Sequence, residues 1–236
     1  MNMPQIVLIP GLLNDADLWR EQISGLVGVA RPRVADITRG KSLAVLAEMV
    51  LATSEDRFAL AGFSLGGIVA QEILRRAPER VTHLALLDTT MLPDTPERAA
   101  EREQLIVQAA KPGRFHGFGR KLAQSYLAPE NQNNTDLIDR VRAMTERLGP
   151  EVFIRQTHIA RPDSRASLSG IACPSLVLCG RHDQLTPPEL HRDMAGLIQE
   201  ADLVVLEHSG HLTPLEEPEK VTEHLKRLLQ RNSVRK

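Results

Sequence analysis

The chain has 236 residues, 29 Lys and Arg against 30 Asp and Glu, and a formal net charge of -1, which argues against a nucleic-acid or other polyanion partner. Its 42% hydrophobic and 25% charged residues are an ordinary globular balance, so global disorder is excluded, and two cysteines cannot staple a disulfide scaffold. The length suits a single α/β domain over residues 1–236.

The opening stretch Met1-Asn2-Met3-Pro4-Gln5 has no basic residue, and the apolar run at 6–9 is too short for a signal sequence or a membrane span. A cytoplasmic protein with no membrane partner is expected. Residues 5–10, Gln-Ile-Val-Leu-Ile-Pro, form a continuous apolar run that stops at Gly11, the pattern of a fully buried strand. A weaker strand follows at 34–37 and a helix at 42–52. Residues 58–62 repeat the buried-strand pattern and lead straight into the clearest helix, 65–77. There Leu65, Val69 and Ile73 share a stripe, with Ile68, Leu74 and Ala77 beside it and Gln71, Glu72, Arg75 and Arg76 facing away. A further strand spans 82–87.

From about residue 91 to 167 the alternation breaks, leaving only helical periods at 97–110, 115–127, 135–148 and 151–159. Pro93 and Pro96 bound this stretch on one side and the polar run Arg161-Pro-Asp-Ser-Arg165 on the other, as at the junctions of an insertion. Strands at 175–180 and 202–207 and helices at 189–198 and 218–229 resume the alternation. Cys173 and Cys179 sit in that apolar setting as reduced residues, and 231–236 reads as a frayed basic tail. The pattern predicts a mainly parallel sheet covered by helices on both faces, with a helical cap inserted at 91–167.

The chemistry centres on Gly62-Phe63-Ser64-Leu65-Gly66-Gly67, between the strand 58–62 and the helix 65–77. A serine on so sharp a turn needs small residues two before and two after it, and its hydroxyl projects at the carboxyl end of the sheet. A serine hydroxyl is a poor nucleophile unless a base takes its proton and an acid orients that base. Asp183, in Gly180-Arg-His-Asp183, follows the strand 175–180, and His211, in Glu207-His-Ser-Gly-His211, follows the strand 202–207. Ser64, Asp183, His211 is the nucleophile, acid, base order of this kind of elbow.

On these motifs, with Thr186-Pro187 behind Asp183 and Glu216-Glu-Pro218 behind His211, the chain resembles the α/β-hydrolase superfamily over nearly its whole length. It looks most like the small cofactor-free carboxylesterases and enol-lactonases. The resemblance implies the eight-stranded family sheet shortened at its N-terminus, opening on the third family strand. It also implies an oxyanion hole from the backbone N–H groups of Leu12 and Leu65. One departure is visible: the family has His-Gly after its first buried strand, where this chain has Pro10-Gly11-Leu12. The hole uses main-chain donors, so the missing histidine bears on the rigidity of the loop more than on its chemistry.

Asp88, at the end of the strand 82–87, is the alternative acid, since some relatives carry it there. His182 and His208 neighbour the proposed acid and base without metal-ligand spacing, and no nucleotide or nicotinamide motif follows a strand, so neither metal nor cofactor is expected. His83, His116, His158, His191 and His224 read as structural, and Asp15 as the N-cap of the helix carrying Trp19. Phe115, Phe118, Tyr126, Met144 and Phe153 read as the cap's own core, with an acyl pocket as the alternative.

The expected function is that of a serine hydrolase acting on a small-molecule acyl substrate, a carboxylic ester, lactone or thioester. Ser64 attacks, His211 carries the proton, Asp183 holds the imidazole, and water releases the acyl group. Alternatives on the same fold are a carbon-carbon bond hydrolase, an acyltransferase or perhydrolase, and a ligand-binding receptor. Oligomeric state is not legible.

Overall fold

A computed structural model describes residues 3–113 and 115–232; Met1 and Asn2 of the opening stretch and residues 233–236 of the expected basic tail lie outside them. Six strands, Gln5–Ile9 (β1), Arg31–Val34 (β2), Phe58–Phe63 (β3), Val81–Leu87 (β4), Ser175–Gly180 (β5) and Ala201–Leu206 (β6), form one sheet in the order β2-β1-β3-β4-β5-β6. Every pairing in it is parallel. The helices are Arg20–Gly25 (α1), Leu43–Ala52 (α2), Leu65–Arg76 (α3), Pro96–Ala109 (α4), Arg120–Ser125 (α5), Thr135–Thr157 (α6), Arg165–Leu168 (α7), Pro188–Leu197 (α8), Thr213–Glu216 (α9) and Pro218–Gln230 (α10).

The continuous apolar runs of β1, β3, β4 and β5 become strands buried on both faces, because alternate side chains enter opposite cores, whereas β6 at the sheet edge is partly exposed. Ile6 and Leu8 of β1, Ala59, Ala61 and Phe63 of β3 and Leu176 and Leu178 of β5 share one core with α6 and α10. Val7 and Ile9, Phe58 and Leu60, and Val177 enter the other, against α2, α3 and α8. Cys179 is buried, Cys173 half-buried, and both are free thiols. Among the described residues, no helix is long and apolar enough to cross a membrane.

Two elements depart from the sequence reading. The weak strand expected at 34–37 lies at Arg31–Val34, where Pro32, lacking an N–H, is tolerated because β2 is an edge strand paired only to β1. The buried residues that suggested the later position, Ala35 and Ile37, follow it in the loop. Of the helix expected at 115–127 only Arg120–Ser125 is helical, since Gly117 has φ +73° and starts a turn. The periods at 135–148 and 151–159 are both helical, as expected, and are parted inside α6 at Gly149 (φ 72°, ψ -178°) and Pro150. Arg231 of the expected tail is anchored, its guanidinium reaching Asp202 at 3.0 Å and the carbonyls of Ser175 and Glu200.

Parallel strands put all their carboxyl ends on one edge, so the loop after β1, Ser64 after β3, Asp88 after β4, Asp183 after β5 and His211 after β6 converge there. Two close backbone approaches draw them together. A Cβ on Gly66 would lie 2.3 Å from the Ile9 carbonyl oxygen and 2.5 Å from that of Pro10, which seats the start of α3 on the loop after β1. A Cβ on Gly180 would lie 2.0 Å from the Gly210 oxygen, which seats the end of β5 on the His211 loop. Because the atoms in the way are main chain, Gly66→Ala has no flexible side chain to displace. Overpacking of this kind costs roughly 1–3 kcal/mol, expected as a lowered urea midpoint with an unchanged slope in equilibrium unfolding.

Candidate active site

Ser64 has φ 51° and ψ -116°, a sparsely populated conformation that costs of order 1–3 kcal/mol and persists only where its surroundings fix it. Its N–H donates to Leu87 O at 2.9 Å, prolonging the β3-β4 ladder past the strand end. Its carbonyl accepts from Gly67 N–H at 2.9 Å and from the Thr89 hydroxyl at 2.7 Å. Thr89 N–H in turn donates to Nε2 of buried His191 at 3.1 Å, so the His191 proton sits on Nδ1, which faces Pro187 O at 3.2 Å. Burial lowers the pKa of His191, in keeping with this neutral, structural form.

The half-buried Ser64 hydroxyl lies 3.1 Å from His211 Nε2, and His211 Nδ1 lies 2.8 Å from Asp183 Oδ2. Asp183 is buried, and its carboxylate accepts four hydrogen bonds: from Leu185 N–H at 2.8 Å, Thr186 N–H at 3.0 Å, the Thr186 hydroxyl at 2.6 Å and His211. Burial alone would raise its pKa, but the His211 charge and hydrogen bond and the Thr186 donors outweigh it and hold the group below the usual carboxylate range. An ionised carboxylate only accepts, so His211 Nδ1 donates to it and Nε2 is left to accept from Ser64. The imidazole sits between the rings of Phe63, at 5.3 Å, and Tyr126, at 5.9 Å.

Asp88, the alternative acid, is fully buried and makes other contacts: Oδ1 accepts from Gly180 N–H at 3.0 Å and Oδ2 from the Thr213 hydroxyl. Among the described residues it forms no hydrogen bond to His211. Burial, and then the neighbouring charge of Asp183, push its pKa well above the carboxylate range. The pKa values of the two carboxyls after β4 and β5 are thus driven apart, that of Asp183 downward and that of Asp88 upward.

The loop after β1 turns at Gly11, Leu12, Leu13 and Asn14, closed by Asn14 N–H on Gly11 O at 3.2 Å. Among the described residues, neither the Leu12 nor the Leu65 N–H meets a protein acceptor. Leu13 has φ 53°, a conformation costing a side-chain-bearing residue roughly 1–2 kcal/mol, and its N–H donates to Oε1 of buried Gln156 at 2.8 Å.

Asp15 caps the turn Ala16–Trp19, as expected, and also pairs with Arg147 at 2.9 Å. His182 and His208 are exposed, His208 facing Glu130 at 2.8 Å. Phe118, Met144 and Phe153 pack into the core, with Phe115 against Phe153 at 5.3 Å, and Tyr126 also reaches His211.

The alpha/beta hydrolase family model matches residues 6–224. The chain belongs to the alpha/beta hydrolase family. A relative of this hydrolase, a pimeloyl-(acyl-carrier protein) methyl ester esterase from Vibrio campbellii, is 24% identical over 230 residues, covering 88% of this chain and 87% of that protein. A thermophilic esterase from Thermogutta terrifontis superposes with a TM-score of 0.86 at 28% identity, covering 97% of this chain and 90% of that one. The enol-lactonase from Burkholderia xenovorans superposes with a TM-score of 0.85 at 23% identity, covering 98% and 93%, a likeness of fold.

Two supports of this hydrolase's site escaped the sequence reading. Glu216, seen only as part of a motif, accepts from the N–H groups of Gly210 at 2.8 Å and Ala128 at 2.7 Å and from Asn131 at 2.9 Å, fastening the His211 loop to the helical insertion. Its pairing with His211 in sequence was the available signal. Gln156 gave none, because its partners, Leu13 and Ile37, are more than a hundred residues away.

Asp88 supplies a pH test. Its folded pKa lies above the unfolded value of about 3.9, so its ionisation costs the folded state more than the unfolded one. Its stability contribution is complete below about pH 4 and is lost as pH rises through the folded value. Asp88→Asn cannot ionise and keeps the acceptor for Gly180. Its stability relative to wild type is expected to climb with pH from about 4 upward, as read from urea midpoints; a flat difference refutes the assignment.

Proposed function

We propose that this alpha/beta hydrolase is a serine hydrolase of small carboxylic esters, lactones or thioesters, with Ser64 as nucleophile, His211 as base and Asp183 as the acid. The observation that carries the reading is the unbroken chain of hydrogen bonds from the Ser64 hydroxyl through His211 to Asp183, at 3.1 and 2.8 Å. Names of relatives at similar length, a methyl ester esterase and a thermophilic esterase, support the ester as substrate class.

In this mechanism His211 Nε2 takes the Ser64 proton as Oγ attacks the acyl carbonyl, and Asp183 stabilises the imidazolium that forms. The oxyanion is bound by the Leu12 and Leu65 N–H groups, the latter at the positive end of α3. Collapse of the tetrahedral intermediate breaks the bond from the acyl carbon to the leaving oxygen, or to sulfur in a thioester; His211 returns its proton to that atom, and the acyl group stays on Ser64. Water activated by His211 then releases the acid and restores the serine. The helices of residues 91–167 serve as the cap, and Tyr126, against the imidazole, is its contribution to the wall around the reacting atoms.

The test is hydrolysis of p-nitrophenyl esters from acetate to octanoate. Ser64→Ala is expected to lower kcat by about 10⁴-fold or more and Asp183→Asn by about 10³- to 10⁴-fold, with Asp88→Asn near wild type. A folded wild type without Ser64-dependent turnover refutes the function. Loss on Asp88→Asn with Asp183→Asn intact refutes the choice of acid.

A further inference from the structure

The loop after β1 carries a conflict that the insertion resolves. In the turn Gly11-Leu12-Leu13-Asn14, φ is positive at Leu13 and not at Leu12, which is the type II form. That third position ordinarily goes to Gly or Asn, and here it is a fully buried leucine. Flipping the Leu12-Leu13 peptide would give the type I form and relieve the leucine. It would also turn the Leu13 N–H away from Gln156 and point the Leu12 carbonyl there instead, re-aiming the main chain one residue beyond the N–H that the hole needs.

What holds the unfavoured form is the Gln156 side chain, fully buried near the end of α6. Its orientation follows from chemistry: Ile37 O can only accept, so Nε2 faces it at 3.3 Å and Oε1 faces the Leu13 N–H at 2.8 Å. In the flipped turn, Oε1 would confront a carbonyl and the amide would lose a buried partner. Neighbouring contacts keep the glutamine in place, with Arg155 donating to Thr38 O and Arg147 and Arg140 binding Asp15 and Glu21 just beyond the turn. Pro10 offers neither an N–H nor a polar side chain for the task.

We infer that Gln156 is a positioning residue, which from the insertion holds in place the strained turn that carries the Leu12 N–H offered to the oxyanion. The inference rests on the proposed serine hydrolase reading, and the tests separate the two. Gln156→Met keeps the length and apolar volume and loses both hydrogen bonds. With the best p-nitrophenyl ester, its kcat is expected to fall roughly tenfold to a hundredfold, with KM little changed, short of the hundredfold or more that follows full loss of an oxyanion donor. Inhibition by phenylboronic acid, whose adduct with a serine hydroxyl is a tetrahedral anion, is expected to weaken in parallel. Gln156→Glu, whose buried carboxyl in the neutral form has one acceptor and one donor, is expected to recover most of the lost kcat.

A folded Gln156→Met variant with wild-type kcat and boronate affinity, differing only in Tm, overturns the inference while leaving the serine hydrolase reading intact. If Gln156→Met does not fold, Gln156→Asn, which keeps the amide and shortens its reach, takes its place: a fall in both kcat and boronate affinity supports the inference, and wild-type values of both overturn it. Wild-type protein without Ser64-dependent turnover overturns both the inference and the serine hydrolase reading.

Discussion

The backbone at Ser64 is held against its own preference, and most of the polar architecture at the carboxyl edge of the sheet follows from holding it. A residue at φ 51° and ψ -116° needs its main-chain groups committed on both sides. Leu87 O takes its N–H, and Gly67 N–H and the Thr89 hydroxyl hold its carbonyl. Thr89 is fixed by His191, which stays neutral because burial leaves it no favourable way to charge. The strain is thereby shared among β3, β4 and α8, and the side chain that results projects above the sheet.

The second constraint is that the loops of this edge are tied to the helices between β4 and β5. The His211 N–H donates to Tyr126 O at 2.7 Å, and Glu216 reaches Ala128 and Asn131 across the same junction. Gln156 does the same for the turn after β1. A strand end can aim a side chain, yet it cannot fix a loop several residues beyond it. The helices supply that missing restraint, so their placement bears on the geometry of the reacting groups as well as on the space around them.

Much of this was legible in the chain. Parallel strands buried on both faces announce themselves as continuous apolar runs, and the elbow, the strand-end Asp183 and the strand-end His211 are local patterns that topology then brings together. The departures have local causes too. An edge strand needs little apolar surface, so Arg31–Val34 gives a fainter signal than the buried residues after it. Gly117, at positive φ, cuts a helical period that hydrophobic spacing alone would carry through. Gln156 lay beyond reach because a polar residue in a helix looks solvent-facing until its distant partners are known.

Two buried carboxyls at neighbouring strand ends pose an electrostatic problem, since like charges in a poorly solvated site do not both ionise cheaply. The fold settles it by unequal donors. Asp183 collects four, one of them the imidazole, whereas Asp88 has Gly180 N–H and the Thr213 hydroxyl. The donors favour negative charge on Asp183 and burial disfavours it on Asp88, whose carboxyl is a polar strut joining the ends of β4 and β5. This asymmetry matters to a base that must both take and return a proton. In the proposed mechanism the carboxylate that touches the imidazole, Asp183, is the one whose charge the fold favours, and it stabilises the imidazolium.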